Sequence, residues 1–160
     1  VDTILPHALR LAERLKQRRE TLAVVESSAG GLISAALLAT PGASAFFLGG
    51  AIVYTGASRE GLLGITPELM AGMRSSTEPY AMLLSRTIRE KLGATWAIAE
   101  TGAAGPTGNR YGDKAGHTCI AITGPMEQSI TRETGHSDRI ANMRIFAVDA
   151  IQLLADALKP

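Results

Sequence analysis

One phrase, used twice, constrains this chain more than anything else in it. Val24-Val25-Glu26-Ser27-Ser28-Ala29-Gly30-Gly31 is an apolar run closed by a carboxylate, two hydroxyls and a Gly-rich turn. Ala97-Ile98-Ala99-Glu100-Thr101-Gly102-Ala103-Ala104-Gly105-Pro106 repeats it later in the chain. Each apolar run reads as a buried strand, and each turn stands where a strand gives way to a loop or helix. Open α/β sheets hold anionic ligands at such places, because glycine lets the backbone approach and a helix N-terminus carries partial positive charge. Two such turns on one sheet predict a pocket for a phosphorylated small molecule.

The rest of the chain supplies the layers such a sheet needs. Leu5, Leu9, Leu11 and Leu15 among Arg, Glu and Lys predict an amphipathic helix over 3–19. Strands are expected at Thr21–Val25, Phe46–Tyr54 (broken or bulged at Gly49-Gly50) and Thr95–Ala99. Between them Gly31–Thr40 reads as a helix stopped by Pro41-Gly42, Ser58 as the cap of a short helix to Leu63, and Thr66-Pro67-Glu68 as the opening of another. Glu78–Leu92 is a longer helix with Met82, Leu83, Ile88 and Leu92 on its apolar side. Thr101–Gly116 is a polar Gly-rich loop of a length that usually means function. Thr118–Thr123 and Ser129–Thr134 form a hairpin, and a last helix starts at Asp138 or Asn142 and runs to Leu158. The alternation predicts one domain over 1–160: a three-layer α/β/α sandwich whose mixed sheet is parallel early and antiparallel late.

Composition narrows the function. At 160 residues, 46% of them hydrophobic and 19% charged, the chain is an ordinary globular domain. A net charge of +1 argues against a broad nucleic-acid or membrane-surface role, and 4% aromatic residues against a base-stacking platform. Cys119 stands alone inside an apolar run and reads as a buried, inert thiol. No cofactor is called for, and the three histidines show no metal spacing. The opening segment is amphipathic and charged, and no run reaches about 18 apolar residues, so a soluble cytoplasmic protein is expected.

Candidate site residues follow from the two turns. Ser27 with the amides of Ala29, Gly30 and Gly31, and Thr101 with Gly102, Ala104 and Gly105, can surround an anion; a plain helix cap at Ser27 is the alternative. The glycines are not followed by Lys-Ser/Thr, which rules out a nucleotide P-loop, and they lack the G-x-G-x-x-G spacing of a dinucleotide fold. Glu26 and Glu100, at matching strand ends, read as braces that accept backbone N–H bonds. Arg139 and Arg144 near the start of the last helix are either solvated or available for phosphate. By spacing alone Ser44 is a turn serine, Tyr54 a strand-end phenol and Arg59 a helix-surface residue.

Taken in order, Glu26-Ser27-Ser28-Ala29-Gly30-Gly31, Pro41-Gly42-Ala43-Ser44, Tyr54, Thr101–Gly108 and Asp138-Arg139 resemble the CinA C-terminal-domain family over nearly the whole chain. That family includes nicotinamide-nucleotide amidases, which hydrolyse nicotinamide mononucleotide to nicotinic acid mononucleotide and ammonia without a metal. The resemblance implies an α/β/α fold and a homodimer. It makes Ser44 the nucleophile, Tyr54 its assistant, and the Ser27 and Thr101 turns the nucleotide site. It also exposes a departure, because the family pattern places a base-forming lysine where this chain has Arg59. A desolvated lysine can shed its proton and act as a base; an arginine, with an ordinary pKa above about 12, cannot. Ser28, Ala29 and Gly56 are further departures around the same site. Two functions are therefore expected in parallel: an amidase acting through Ser44, Tyr54 and Arg59, or a silent module that binds a nucleotide or phosphate ligand.

Overall fold

The computed structural model describes residues 1–160 throughout. Strands β1 (Leu22–Glu26), β2 (Phe47–Ile52), β3 (Trp96–Ala103), β4 (His117–Thr123) and β5 (Gln128–Glu133) form one sheet in the order β2-β1-β3-β4-β5. β2, β1 and β3 are parallel, whereas β4 and β5 pair antiparallel with their neighbours. Helices α1 (Leu5–Arg18), α2 (Leu32–Leu38) and α6 (Arg139–Ala157) cover one face, and α5 (Glu78–Leu92) covers the other. Two short helices, α3 (Gly56–Leu63) and α4 (Pro67–Met70), connect β2 to α5. This is the expected α/β/α sandwich, with the expected change of strand direction. No helix is long and apolar enough to cross a membrane.

The sheet packs a core on each face. Leu22, Val24, Trp96 and Ile98 point into the core shared with α1, α2 and α6, while Ala23, Val25, Ala97 and Ala99 face α5. Large side chains on one face each contribute roughly 1.5–3 kcal/mol on burial. Alanines on the other let α5 lie close against the sheet. Because β1 is covered on both faces, its residues are all buried, and only its last, Glu26, is charged.

The structure departs from the sequence expectations in three places and settles two open points. β3 runs on through Glu100-Thr101-Gly102 to Ala103, because β4 supplies an unbroken antiparallel ladder as far as Ala103↔His117. Thr101 and Gly102 are thus strand residues rather than loop residues. α5 buries Tyr80, Ala81, Leu84, Ser85 and Ile88 instead of the Met82–Leu83 side, and Leu92 is exposed. Thr55, not Ser58, caps α3; Ser58 is the reciprocal partner in a capping box. Asp138 caps α6 through the Ala141 amide, which frees Asn142 for a buried role. The β2 register slips by one residue at Leu48, so the anticipated Gly49-Gly50 irregularity is a bulge.

Candidate ligand-binding site

The two carboxylates at the strand ends organise this region. Glu26 and Glu100 are both fully buried. Glu26 accepts from the amides of Gly31 (3.0 Å), Ile33 (2.9 Å) and Ser34 (2.8 Å), which are the free donors at the start of α2. Glu100 accepts from the amides of Ser27 (3.1 Å) and Ala29 (2.8 Å) and from the hydroxyls of Ser28 and Thr118. Burial pushes the Glu100 carboxyl up and these donors pull it down, with burial the larger. Every group around Glu100 donates to it, so it serves as an acceptor. Both glutamates are the braces their positions suggested.

This bracing corrects the anion-cradle expectation for the first turn. The amides that would greet a phosphate already belong to Glu26 and Glu100, and the Gly30 amide bonds the Ser27 carbonyl. Gly30 and Gly31 are there for their left-handed backbone, with φ of 68° and 99°. The second turn is likewise occupied by the protein itself. The Ala104 carbonyl accepts from the buried Asn142 side chain at 2.8 Å, and the Gly105 carbonyl from Arg139. Gly102 is required by close approach, since a Cβ there would collide with the His117 carbonyl and Thr118.

Side chains, rather than backbone amides, line the cavity that remains. It holds about 460 Å3 and opens at the carboxyl ends of β1, β2 and β3. Ser27, Thr101 and Gly102 form its floor; Tyr54, Thr55, Gly56 and Arg59 one wall; Ser75, Ser76 and Tyr80 a second. The third is Asn109, Arg110 and Tyr111 from the loop after β3. None of the lining residues is Asp, Glu, His or Lys. The Ser27 hydroxyl is half-buried and has no protein partner, while the Thr101 hydroxyl accepts from the Ser76 amide at 3.1 Å.

Arg59 is held by packing instead of charge. Its Cζ lies 5.5 Å from the centre of the Tyr80 ring, Nη1 reaches the Tyr80 hydroxyl at 3.5 Å, and Nε is buried without a partner. Burial pushes the Tyr80 phenol up, so it stays neutral and gives Arg59 no counter-charge. Tyr54 is well exposed (61%) and meets Arg139 at 3.4 Å.

The loop wall is fastened from behind. Arg74 forks onto Asp113 (2.7 and 3.2 Å) and lies over Tyr111, and the Asn109 side chain bonds Asp113 and the amides of Tyr111 and Asp113. The Arg74 hydrogen bond holds the Asp113 carboxyl below the usual carboxylate range. His117 joins the same structure, with Nδ1 on Glu133 (2.6 Å) and Nε2 on the Ser76 carbonyl (2.9 Å). Burial alone would lower its pKa; the Glu133 bond, the Ser76 carbonyl and the Asp113 charge outweigh that and raise it. Cys119 is buried beside it and its thiol is pushed up, in keeping with an inert role.

Of the sequence candidates, Ser27, Tyr54, Arg59, Thr101 and Gly102 come together at the cavity, and Arg139 stands at its rim. Gly30, Gly31, Ala104, Gly105 and Arg144 do not line it. Ser44 is exposed in a 3₁₀ turn that precedes β2, whereas Tyr54 and Arg59 follow it. The strand between them puts about 20 Å between Ser44 and the cavity within one chain. Sequence reasoning missed Tyr80, Ser76, Arg110 and Tyr111. The long polar loop was a signal for the last two, but nothing local marks Tyr80, which arrives through the packing of α5 on α3.

Open α/β sheets place ligand sites in the crevice outside the carboxyl ends of their parallel strands, and the polar cavity lies at that edge. Residues 5–158 match the CinA C-terminal domain, and the chain belongs to that family. It is 42% identical over 111 residues to a CinA-like protein of Prochlorococcus marinus, covering 69% of this chain and 26% of that one. A CinA-like protein of Anaeromyxobacter is 36% identical over 146 residues, 91% of this chain and 36% of its own. The chain thus spans about a third or less of the length of these curated relatives. Among solved structures, a competence-damaged protein (CinA) superfamily protein from Klebsiella pneumoniae superposes with a TM-score of 0.91 at 26% identity, over 97% of both chains. One from Enterobacter cloacae gives 0.90 at 27% identity, over 98% of this chain and 92% of that one.

Proposed function

We propose that this protein binds a phosphorylated pyridine nucleotide of the nicotinamide mononucleotide class in the cavity, and holds it without hydrolysing its amide. The cavity volume suits a mononucleotide. Two arginines and a row of hydroxyls suit its phosphate and ribose. The observation that carries the silent reading is the lining itself: no lysine, histidine or carboxylate is available to take a proton from a serine. Arg59 occupies the place where the family resemblance calls for a lysine base. The amidase reading, with Ser44 as nucleophile and Tyr54 and Arg59 assisting, requires Ser44 to enter from a second copy of the chain. A homodimer, implied by the resemblance, and a cytoplasmic location, expected from the sequence composition, belong to the same proposal.

The test is calorimetric binding of nicotinamide mononucleotide and of its dephosphorylated riboside, with ammonia measured in the same samples. Saturable, phosphate-dependent binding without ammonia is expected. Steady ammonia release by the wild-type protein would restore the amidase reading, and absence of binding by any pyridine mononucleotide would remove the nucleotide.

A further inference from the structure

Arg59 and Arg110 both line the cavity, and neither takes part in any of the chain's ion pairs. The third arginine of the region, Arg74, differs in being neutralised by Asp113. The cavity thus carries two guanidinium groups, on different walls, with no protein anion paired to either. Arg110 is exposed at the mouth, with its guanidinium over the Tyr111 ring. Arg59 is half-buried between α3 and α5, where its nearest companions are a neutral phenol and the start of α3. Its Nη2 has no hydrogen-bond partner and lies 3.6 Å from where a Cβ on Gly56 would stand, so a side chain at that position would crowd it. Lodging an arginine in such a place costs desolvation that the Tyr80 contact offsets only in part, with no counter-charge beside it.

One phosphate accounts for one of these charges and leaves the other. A guanidinium presents parallel N–H donors that match the two oxygens of a carboxylate, and it has nothing to offer the N–H2 side of a carboxamide, which is itself a donor. We infer that Arg59 makes the cavity selective for a mononucleotide whose ring carries a carboxylate in place of the carboxamide. The ligand is then dianionic in function, with a phosphate at one end and a carboxylate at the other. This inference rests on the nucleotide reading above and adds to it which of the two ring substituents the site prefers.

Titration calorimetry with nicotinic acid mononucleotide and nicotinamide mononucleotide, each on the wild-type protein, Arg59→Gln and Arg59→Lys, separates the two claims. On the wild type the acid should bind about tenfold to a hundredfold tighter than the amide. Arg59→Gln should bring the two to within about threefold by weakening the acid alone, and Arg59→Lys, which loses the fork, should fall between. Circular dichroism of each variant checks that the fold is intact, and the amide affinity is the internal control for the phosphate end. Equal affinities on the wild type, or tighter binding of the amide, overturn the carboxylate inference and leave the nucleotide reading standing. Failure of both mononucleotides to bind overturns both.

Discussion

The guanidinium of Arg59 lies 5.5 Å from the centre of the Tyr80 ring, and the Tyr80 hydroxyl is the only hydrogen-bond partner of the Arg59 side chain. Two residues far apart in sequence thereby fix the character of the cavity. A lysine in place of Arg59 would stand against the same apolar ring, where desolvation lowers an ammonium's pKa and makes a base available. Arginine in that place remains a cation.

Arg59→Lys should therefore introduce ammonia release from nicotinamide mononucleotide that the wild-type protein lacks. The reaction is hydrolysis of the ring carboxamide by water to carboxylate and ammonium, followed by a coupled ammonia assay. No gain in a folded variant that still binds the nucleotide would mean that the missing base is not what silences the site.

Ser44→Ala should leave nucleotide affinity within about twofold of wild type, because the strand length places Ser44 about 20 Å from the cavity. A tenfold loss, measured alongside sedimentation of the variant, would mean that a second copy of the chain brings its Ser44 to this pocket.

Glu26→Ala removes the acceptor of three α2 amides from a fully buried position, leaving those donors unpaired. The expected loss is about 3 kcal/mol of unfolding free energy in urea. A loss below about 1 kcal/mol would mean that water takes over the capping. Gly102→Ala should destabilise the fold through its collision with β4, and so weaken phosphorylated and dephosphorylated ligands alike. A loss confined to phosphorylated ligands would return Gly102 to the phosphate site.

His117 sets a pH dependence. Its pKa is raised by folding, so the stability it contributes is complete below its ordinary value of about 6.5 and is lost as the pH rises through the raised value. Its partners are Glu133 on β5, Asp113 on the loop, the Ser76 carbonyl before α5 and Cys119 on β4. Asp113 acts in a separate window: its pKa is lowered, so its contribution is present at neutral pH and disappears only in acid. The urea midpoint should fall as the pH rises above about 6.5 in the wild type and stay level in His117→Gln. A parallel fall in both would assign the dependence to other groups.

The layers were legible because local and global signals agree in them. The apolar runs of β1 and β3, the helix starts at Thr66 and Asp138, and the Pro41-Gly42 stop each act within a few positions of sequence. The second turn was misread because β4 imposes a strand on Glu100-Thr101-Gly102, a decision made by a partner distant in sequence. The first turn was read correctly as a brace at Glu26 and too hopefully as an anion cradle at Gly30 and Gly31. A buried carboxylate and a phosphate compete for the same amides, and only the folded chain reveals which has them. Tyr80 was invisible for a plainer reason: α5 delivers it to Arg59 from elsewhere in the chain.

The most direct test is ammonia release from nicotinamide mononucleotide by wild-type protein that calorimetry shows to be saturated with it. The account predicts an occupied site and ammonia no faster than in a protein-free control. Sustained ammonia release from the saturated protein, abolished by excess nicotinic acid mononucleotide, would contradict it and make the cavity an active centre with a base other than Arg59.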